Sequence, residues 1–230
     1  PMANLLEHAN AAVDAVEASG IICQVGTMYR SQGEYIAAAK LYQQGLLGQL
    51  IKAHTTYNDH KARWIRDYSN VRVEDIDWQQ YLMHLPEQPF DARKFRLWHL
   101  YKEQCTGLIG LLGVHPIDIA HMFTEDSLPE SCVGMGRKLV WTEREHDDMQ
   151  ECLFTYPKGH LLQYSSRLGN DNGGPMNVFF GSKGTFDTTS WTFTGEGGGE
   201  DALAEPVKAV AEPGSTHIEN WIDCIRANNP

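Results

Sequence analysis

His115, Asp118 and His121 form the densest polar constellation in the sequence, three residues apart within an apolar run from about 108 to 123. On a regular helix the 115/118 and 118/121 pairs are neighbours, whereas the two imidazoles diverge by about 120° around the axis. One metal ion could be reached by all three only from an awkward angle, so no metal site is expected. An imidazole with an ordinary pKa near ~6.5 suits proton exchange with a hydroxyl group, which makes His115 the candidate catalytic acid or base. His121 is read as a structural histidine that bonds a neighbouring polar group.

Other common chemistries leave no trace. The sequence holds no G-x-x-x-x-G-K-[ST] loop, no H-E-x-x-H pair and no G-x-S-x-G elbow. A dinucleotide loop needs G-x-G-x-x-G between a strand and a helix, so that backbone N–H groups can receive the pyrophosphate. Gly107, Gly110 and Gly113 have the wrong spacing. Gly197-x-Gly199-x-x-Ala202 is nearer, but Glu196, Glu200 and Asp201 would repel phosphate and Pro206 interrupts a following helix.

The elements that must position His115 follow from periodicity. Leu5, Leu6, Ala9, Ala12, Val13 and Val16 recur at helical spacing up to Gly20, and the apolar run Ile21 to Thr27 reads as a strand buried on both faces. Ser31 and Glu34 have the spacing of a capping box for a second helix that stops at Gly45, and 50–58 reads as a one-sided strand. Residues 59–104 are irregular and rich in aromatic side chains, among them Trp64, Trp78, Tyr81, Phe95 and Trp98; they could form a binding surface or simply pack across a sheet. Pro116 should kink the third helix or mark its first turn. Strand-like runs at 131–142, 149–156, 160–168 and 176–181 joined by short turns predict an antiparallel sheet, and a helix over about 216–227 closes the chain.

With 230 residues, the sequence fits one large domain, or one domain with part of another. A net charge of -11 argues against nucleic acid and anionic membrane as partners, and no apolar run approaches the roughly 18 residues of a membrane span. Cys23, Cys105, Cys132, Cys152 and Cys224 contain no C-x-x-C pair and read as core thiols in a reducing compartment. A cytoplasmic location is the default expectation, with an upstream export signal left open.

The run from Gly107 through Gly110 and Gly113 to His115 and Asp118 resembles the G-G-x-x-x-D-x-G-x-H-x-x-D segment of the Gfo/Idh/MocA oxidoreductases. Val25-Gly-Thr-Met-Tyr-Arg30, Gly45-Leu-Leu-Gly48, Asp77-Trp78, Phe180-Gly-Ser-Lys-Gly-Thr185 and His217 to Arg226 follow in the family's order. The resemblance implies an α/β (α+β) chain: a mostly antiparallel open sheet with helices on one face, preceded by the last helix and strand of a Rossmann domain. The implied partition is 1–29 as that remnant, 30–214 as the substrate-binding and dimerisation domain, and 215–230 as a helix packing back toward the Rossmann side.

It further implies hydride transfer between NAD or NADP and a sugar, polyol or related small molecule, with His115 as acid or base. Asp118, Arg30, Trp98 and Lys102 are the implied substrate-binding residues, Arg30 also standing near the cofactor, and a homodimer or larger assembly would form through the open sheet face. Pro1 matches the proline of the family's E-K-P motif, so its lysine and the glycine loop would fall outside the chain, which alone is expected to be inactive and to bind NAD(P) weakly. Leu111 stands where many members have aspartate. That departure leaves room for a redox-assisted glycosidase of the same family, or for a non-catalytic dimerisation or ligand-binding module.

Overall fold

The computed structural model describes residues 3–60, 66–172, 174, 176–196 and 199–229. Pro1, Trp64 and Gly197, each given a part above, lie outside the described residues.

Eight strands form one open sheet in the order β2-β3-β4-β1-β5-β6-β7-β8. They are β1 (Leu50–Asp59), β2 (Ser131–Arg137), β3 (Met149–Thr155), β4 (Leu161–Leu168), β5 (Asn177–Gly181), β6 (Gly184–Asp187), β7 (Thr192–Gly195) and β8 (Val207–Lys208). Among the described strands β1 and β4 pair in parallel and every other neighbour is antiparallel; short turns, such as the one at Gly159 (φ 88°), join β3 to β4, β5 to β6 and β6 to β7. The mostly antiparallel open sheet is thus observed, and it continues through three short strands after β5.

One face of the sheet is covered by α2 (Gly33–Gln43) and α5 (Val114–Thr124). Cross-strand pairing puts Phe179 opposite Phe186 and Phe186 opposite Phe193, and Phe123 of α5 stacks on Phe179 at 4.5 Å between ring centroids. All four phenylalanines are fully buried, with Ala38, Ala53, Ile119, Leu162 and Tyr164 around them. The opposite face leaves Ile51, Val133, Met135 and Phe180 exposed. Such a face is what alternation along strands gives when only one side meets helices.

The remaining helices are α1 (Leu6–Ser19), the short α3 (Trp78–Leu82) and α4 (Ala92–Arg96), and α6 (His217–Ala227). Helix α1 ends at Gly20 in the left-handed region (φ 65°), as its sequence predicts, yet it buries no residue. Ile21–Thr27 is not a strand: it has no ladder partner among the described residues, and its polar groups meet α6 instead. There the Trp221 indole donates to the Ile22 carbonyl (3.0 Å) and Gln24 donates to the His217 carbonyl (2.8 Å).

The capping box expected at Ser31 and Glu34 is absent. Ser31 closes a 3-10 turn over Met28–Ser31, its hydroxyl lies 2.9 Å from His217 Nδ1, and Gln32 precedes α2 without a side-chain cap. A capping box does open α6, between Thr216 and Glu219. The reading of all five cysteines as core thiols also fails. Cys23 lies on the uncovered 21–27 segment and Cys132 on edge strand β2, and both are exposed. No helix among the described residues is long and apolar enough to cross a membrane.

Candidate active site

His115 owes its place to a change of helical pitch. Ile109–Gly113 forms a π turn that runs directly into α5, so the irregular turn lies immediately before Pro116, whose missing N–H cannot support regular α-helical pairing there. Gly113 lets this junction lie against β4: a Cβ there would sit 2.6 Å from the ring of Tyr164. From the opposite side, Asn177 at the start of β5 donates its side-chain N–H to the Pro116 carbonyl at 2.8 Å. Asn177 is fully buried and accepts from the Tyr35 hydroxyl (3.4 Å), whose pKa burial pushes up to about 12. The backbone beside His115 is therefore fixed to both α2 and β5.

The His115 ring meets Tyr29 edge to face at 5.5 Å, and its Nδ1 is buried without a hydrogen-bond partner among the described residues. Burial pushes its pKa below the ordinary imidazole value, while the Asp118 carboxylate pulls the other way. Burial thus favours the neutral ring. Asp118, nearly one turn further along α5, accepts from Arg30 Nε at 2.5 Å. Arg30 reaches it from the 3-10 turn that also carries Tyr29, so one short segment contacts both His115 and Asp118.

His121 bonds the Tyr156 hydroxyl at 2.8 Å through Nε2, in keeping with a structural role. Trp98 lines a cavity that none of Arg30, His115 and Asp118 borders. Lys102 is exposed, and its backbone, not its ammonium, makes the described contacts, donating to Glu145 (2.8 Å) and accepting from Asn4 (3.4 Å). Tyr29, Tyr35 and Asn177 are the members that sequence reasoning missed as a group. Asn177 and Pro116 are remote in sequence, and no local pattern connects them.

Arg30 also borders a cavity of about 510 Å³ with Cys23, Gln24, Thr27, Met122 and His217. The described residues do not fit a dinucleotide on their own. Arg30 is already engaged with Asp118, which offsets the charge a pyrophosphate would need, and no glycine loop leads from a strand into a helix. No group of three or more His, Cys, Asp or Glu side chains suited to a metal ion occurs among the described residues.

Residues 35–187 match the family model described as the GFO/IDH/MocA C-terminal domain. A comparison with curated proteins gives no match. Among solved structures, the aldose-aldose oxidoreductase from Caulobacter crescentus complexed with glycerol is 18% identical over 100% of this chain, with a TM-score of 0.68. A putative oxidoreductase from Thermotoga maritima is 15% identical over 99% of the chain, with a TM-score of 0.70. The WlbA dehydrogenase from Bordetella pertussis, in complex with NADH and UDP-GlcNAcA, is 18% identical over 100% of the chain, with a TM-score of 0.62. At these identities the likeness is one of fold. The chain spans 61% of the length of the first two and 60% of the third.

Proposed function

Since its C-terminal-domain model accounts for residues 35–187, the chain belongs to the GFO/IDH/MocA family, and on that premise we propose that the whole protein is an NAD(P)-dependent oxidoreductase acting on a sugar, polyol or related derivative, with His115 as its acid or base. The observation that carries this reading is the partly buried imidazole whose Nδ1 has no partner among the described residues, beside the Arg30–Asp118 pair. A buried ring nitrogen without a partner is costly in a fold unless something is meant to meet it.

In the oxidative direction the neutral ring takes the proton of a substrate hydroxyl; in the reductive direction the imidazolium returns it. A nicotinamide, if held by a part of the protein outside the described residues, would supply the hydride chemistry, leaving these residues to orient the substrate and move its proton. Arg30 and Asp118 offer a donor and an acceptor for neighbouring hydroxyls while holding the Tyr29 turn against α5. The partition into 1–29, 30–214 and 215–230 and self-association through the uncovered sheet face belong to the same reading. It is supported by the exposed Val133, Met135 and Ile51, since a large exposed apolar patch commonly marks a contact surface.

The test is nicotinamide turnover by the full-length protein with a panel of aldoses, uronic acids and cyclic polyols. Turnover with at least one of them is expected. Binding of NAD(P) with no turnover of any, under conditions where the protein is folded, would contradict the reading.

A further inference from the structure

We propose that Arg144 and His146, on the connection between β2 and β3, form with Gln150 a buried site for a small carboxylate monoanion. The residues that build it lie on 105–107 and 144–150, and none of them bonds Arg30, His115 or Asp118 among the described residues. The inference therefore does not rest on the oxidoreductase reading.

The Arg144 side chain is out of place in an ordinary interior. It is 3% exposed, yet its Nε has no hydrogen-bond partner and its guanidinium forms no ion pair among the described residues. A buried guanidinium keeps its charge, and such a charge left unmatched is strongly unfavourable. The carboxylate of Asp148, which acts on it electrostatically, is committed elsewhere: it accepts from the backbone N–H groups of Leu139 (2.9 Å), Val140 (2.6 Å) and Trp141 (2.6 Å). Cys105 does not supply the missing charge, since burial pushes its thiol pKa up and its Sγ accepts from the Gly107 N–H at 3.4 Å.

The neighbouring groups lack acceptors too. His146 is 8% exposed, and its Nε2 is also buried without a partner among the described residues. Gly107 (φ 81°) keeps the space beside it open: a Cβ there would sit 3.1 Å from His146 Nδ1 and 3.5 Å from Gln150 Nε2. Ile109 fixes that amide by donating its N–H to Gln150 Oε1 at 3.1 Å, which leaves Nε2 as a further donor. The connection itself is pinned, because the Glu145 N–H donates to the Leu100 carbonyl and the Glu145 carboxylate accepts from the Lys102 N–H, both at 2.8 Å.

Charge and shape set the ligand class. Burial, with Arg144 adding to it, pushes the His146 pKa below the ordinary imidazole value against the pull of the Tyr101 carbonyl, so the site carries the one charge of the guanidinium. That matches a monoanion better than a phosphate. The planar fork of arginine pairs with a planar carboxylate through two parallel bonds, and the enclosure calls for a short one such as formate or acetate.

Formate is the probe, with the melting temperature of the chain and saturation transfer to the formate proton as readouts. With a Kd on the order of a few mM, about 50 mM formate should raise the melting temperature by about 3 °C or more over chloride at equal ionic strength. Arg144→Met should abolish both responses and, having lost an unmatched buried charge, melt no lower than wild type without formate. Arg144→Lys, which keeps the charge but not the fork, should weaken binding about tenfold or more. His115→Ala should respond as wild type does. The proposal is overturned by a wild-type chain that ignores formate, by an equal rise in chloride, by undiminished binding in Arg144→Lys, by loss of binding in His115→Ala, by tighter binding of phosphate than of formate, or by an Arg144→Met chain that melts several degrees below wild type without formate.

Discussion

The buried side chain of Asn177 donates to the Pro116 carbonyl at 2.8 Å, joining the first residue of β5 to the turn of α5 that carries His115. The same amide accepts from Tyr35, so three elements meet at one group. Asn177→Leu removes the donor and leaves the Pro116 carbonyl and the Tyr35 hydroxyl without this partner. A loss of about 1–3 kcal/mol is expected in denaturant unfolding. In the full-length enzyme kcat should fall more than KM rises, with the acid limb of the pH–rate profile moved, because the change acts on how His115 is held. A loss of stability with kcat and that limb untouched would assign Asn177 a structural role alone.

Phe123 is fully buried against Phe179 and Phe186, at the centre of the packing between α5 and the sheet. Phe123→Ala should cost about 3–5 kcal/mol, read from urea midpoints at constant slope. A cost below about 1 kcal/mol would mean that this aromatic ladder is not the core.

Much of this framework was legible locally, and the reasons for the failures are instructive. The placement of His115, Asp118 and His121 on one helix, the Gly20 stop and the short turn between β3 and β4 are short-range signals, and all are realised. Ser31 failed as a cap because its hydroxyl has a remote competitor, His217, 186 residues away. Ile21–Thr27 has the composition of a buried strand, but a strand exists only by pairing, and α6 side chains take its carbonyls. Trp98 lies close in sequence to the His115 helix, yet it lines a cavity that Arg30, His115 and Asp118 do not border. Asn177 carried no signal, since a single polar residue opening a strand is unremarkable until its partner is known.

Burial pushes the pKa values of His54, His115, His121, His146 and His160 below the ordinary value. For each, the folded state binds a proton less readily than the unfolded one. Stability is therefore fully present above about pH 6.5, the unfolded value, and is lost as pH falls through the lowered folded values. Thermal unfolding should show a melting temperature that drops progressively from pH 7 to pH 5; a flat profile over that interval would contradict these environments.

Val133 and Met135 are exposed on β2, on the sheet face that no helix covers. If that face is the self-association surface, Val133→Lys with Met135→Lys should shift the protein toward monomer in light scattering at unchanged helix content. Retention of the wild-type mass would place any assembly elsewhere.

Arg30 links the Tyr29 turn to Asp118 in a partly exposed pair, so its loss should affect stability little, by about 0–1 kcal/mol. Arg30→Ala should instead raise KM for substrate in the full-length enzyme. An unchanged KM together with a normal kcat would remove Arg30 from the substrate site.

The most direct measurement of the central claim is nicotinamide-linked turnover by full-length His115→Ala beside wild type, with folding checked by thermal unfolding. Loss of an acid–base group should lower kcat about a hundredfold or more at an unchanged fold, while binding of NAD(P) persists. Turnover equal to wild type in the folded variant would contradict the assignment of His115.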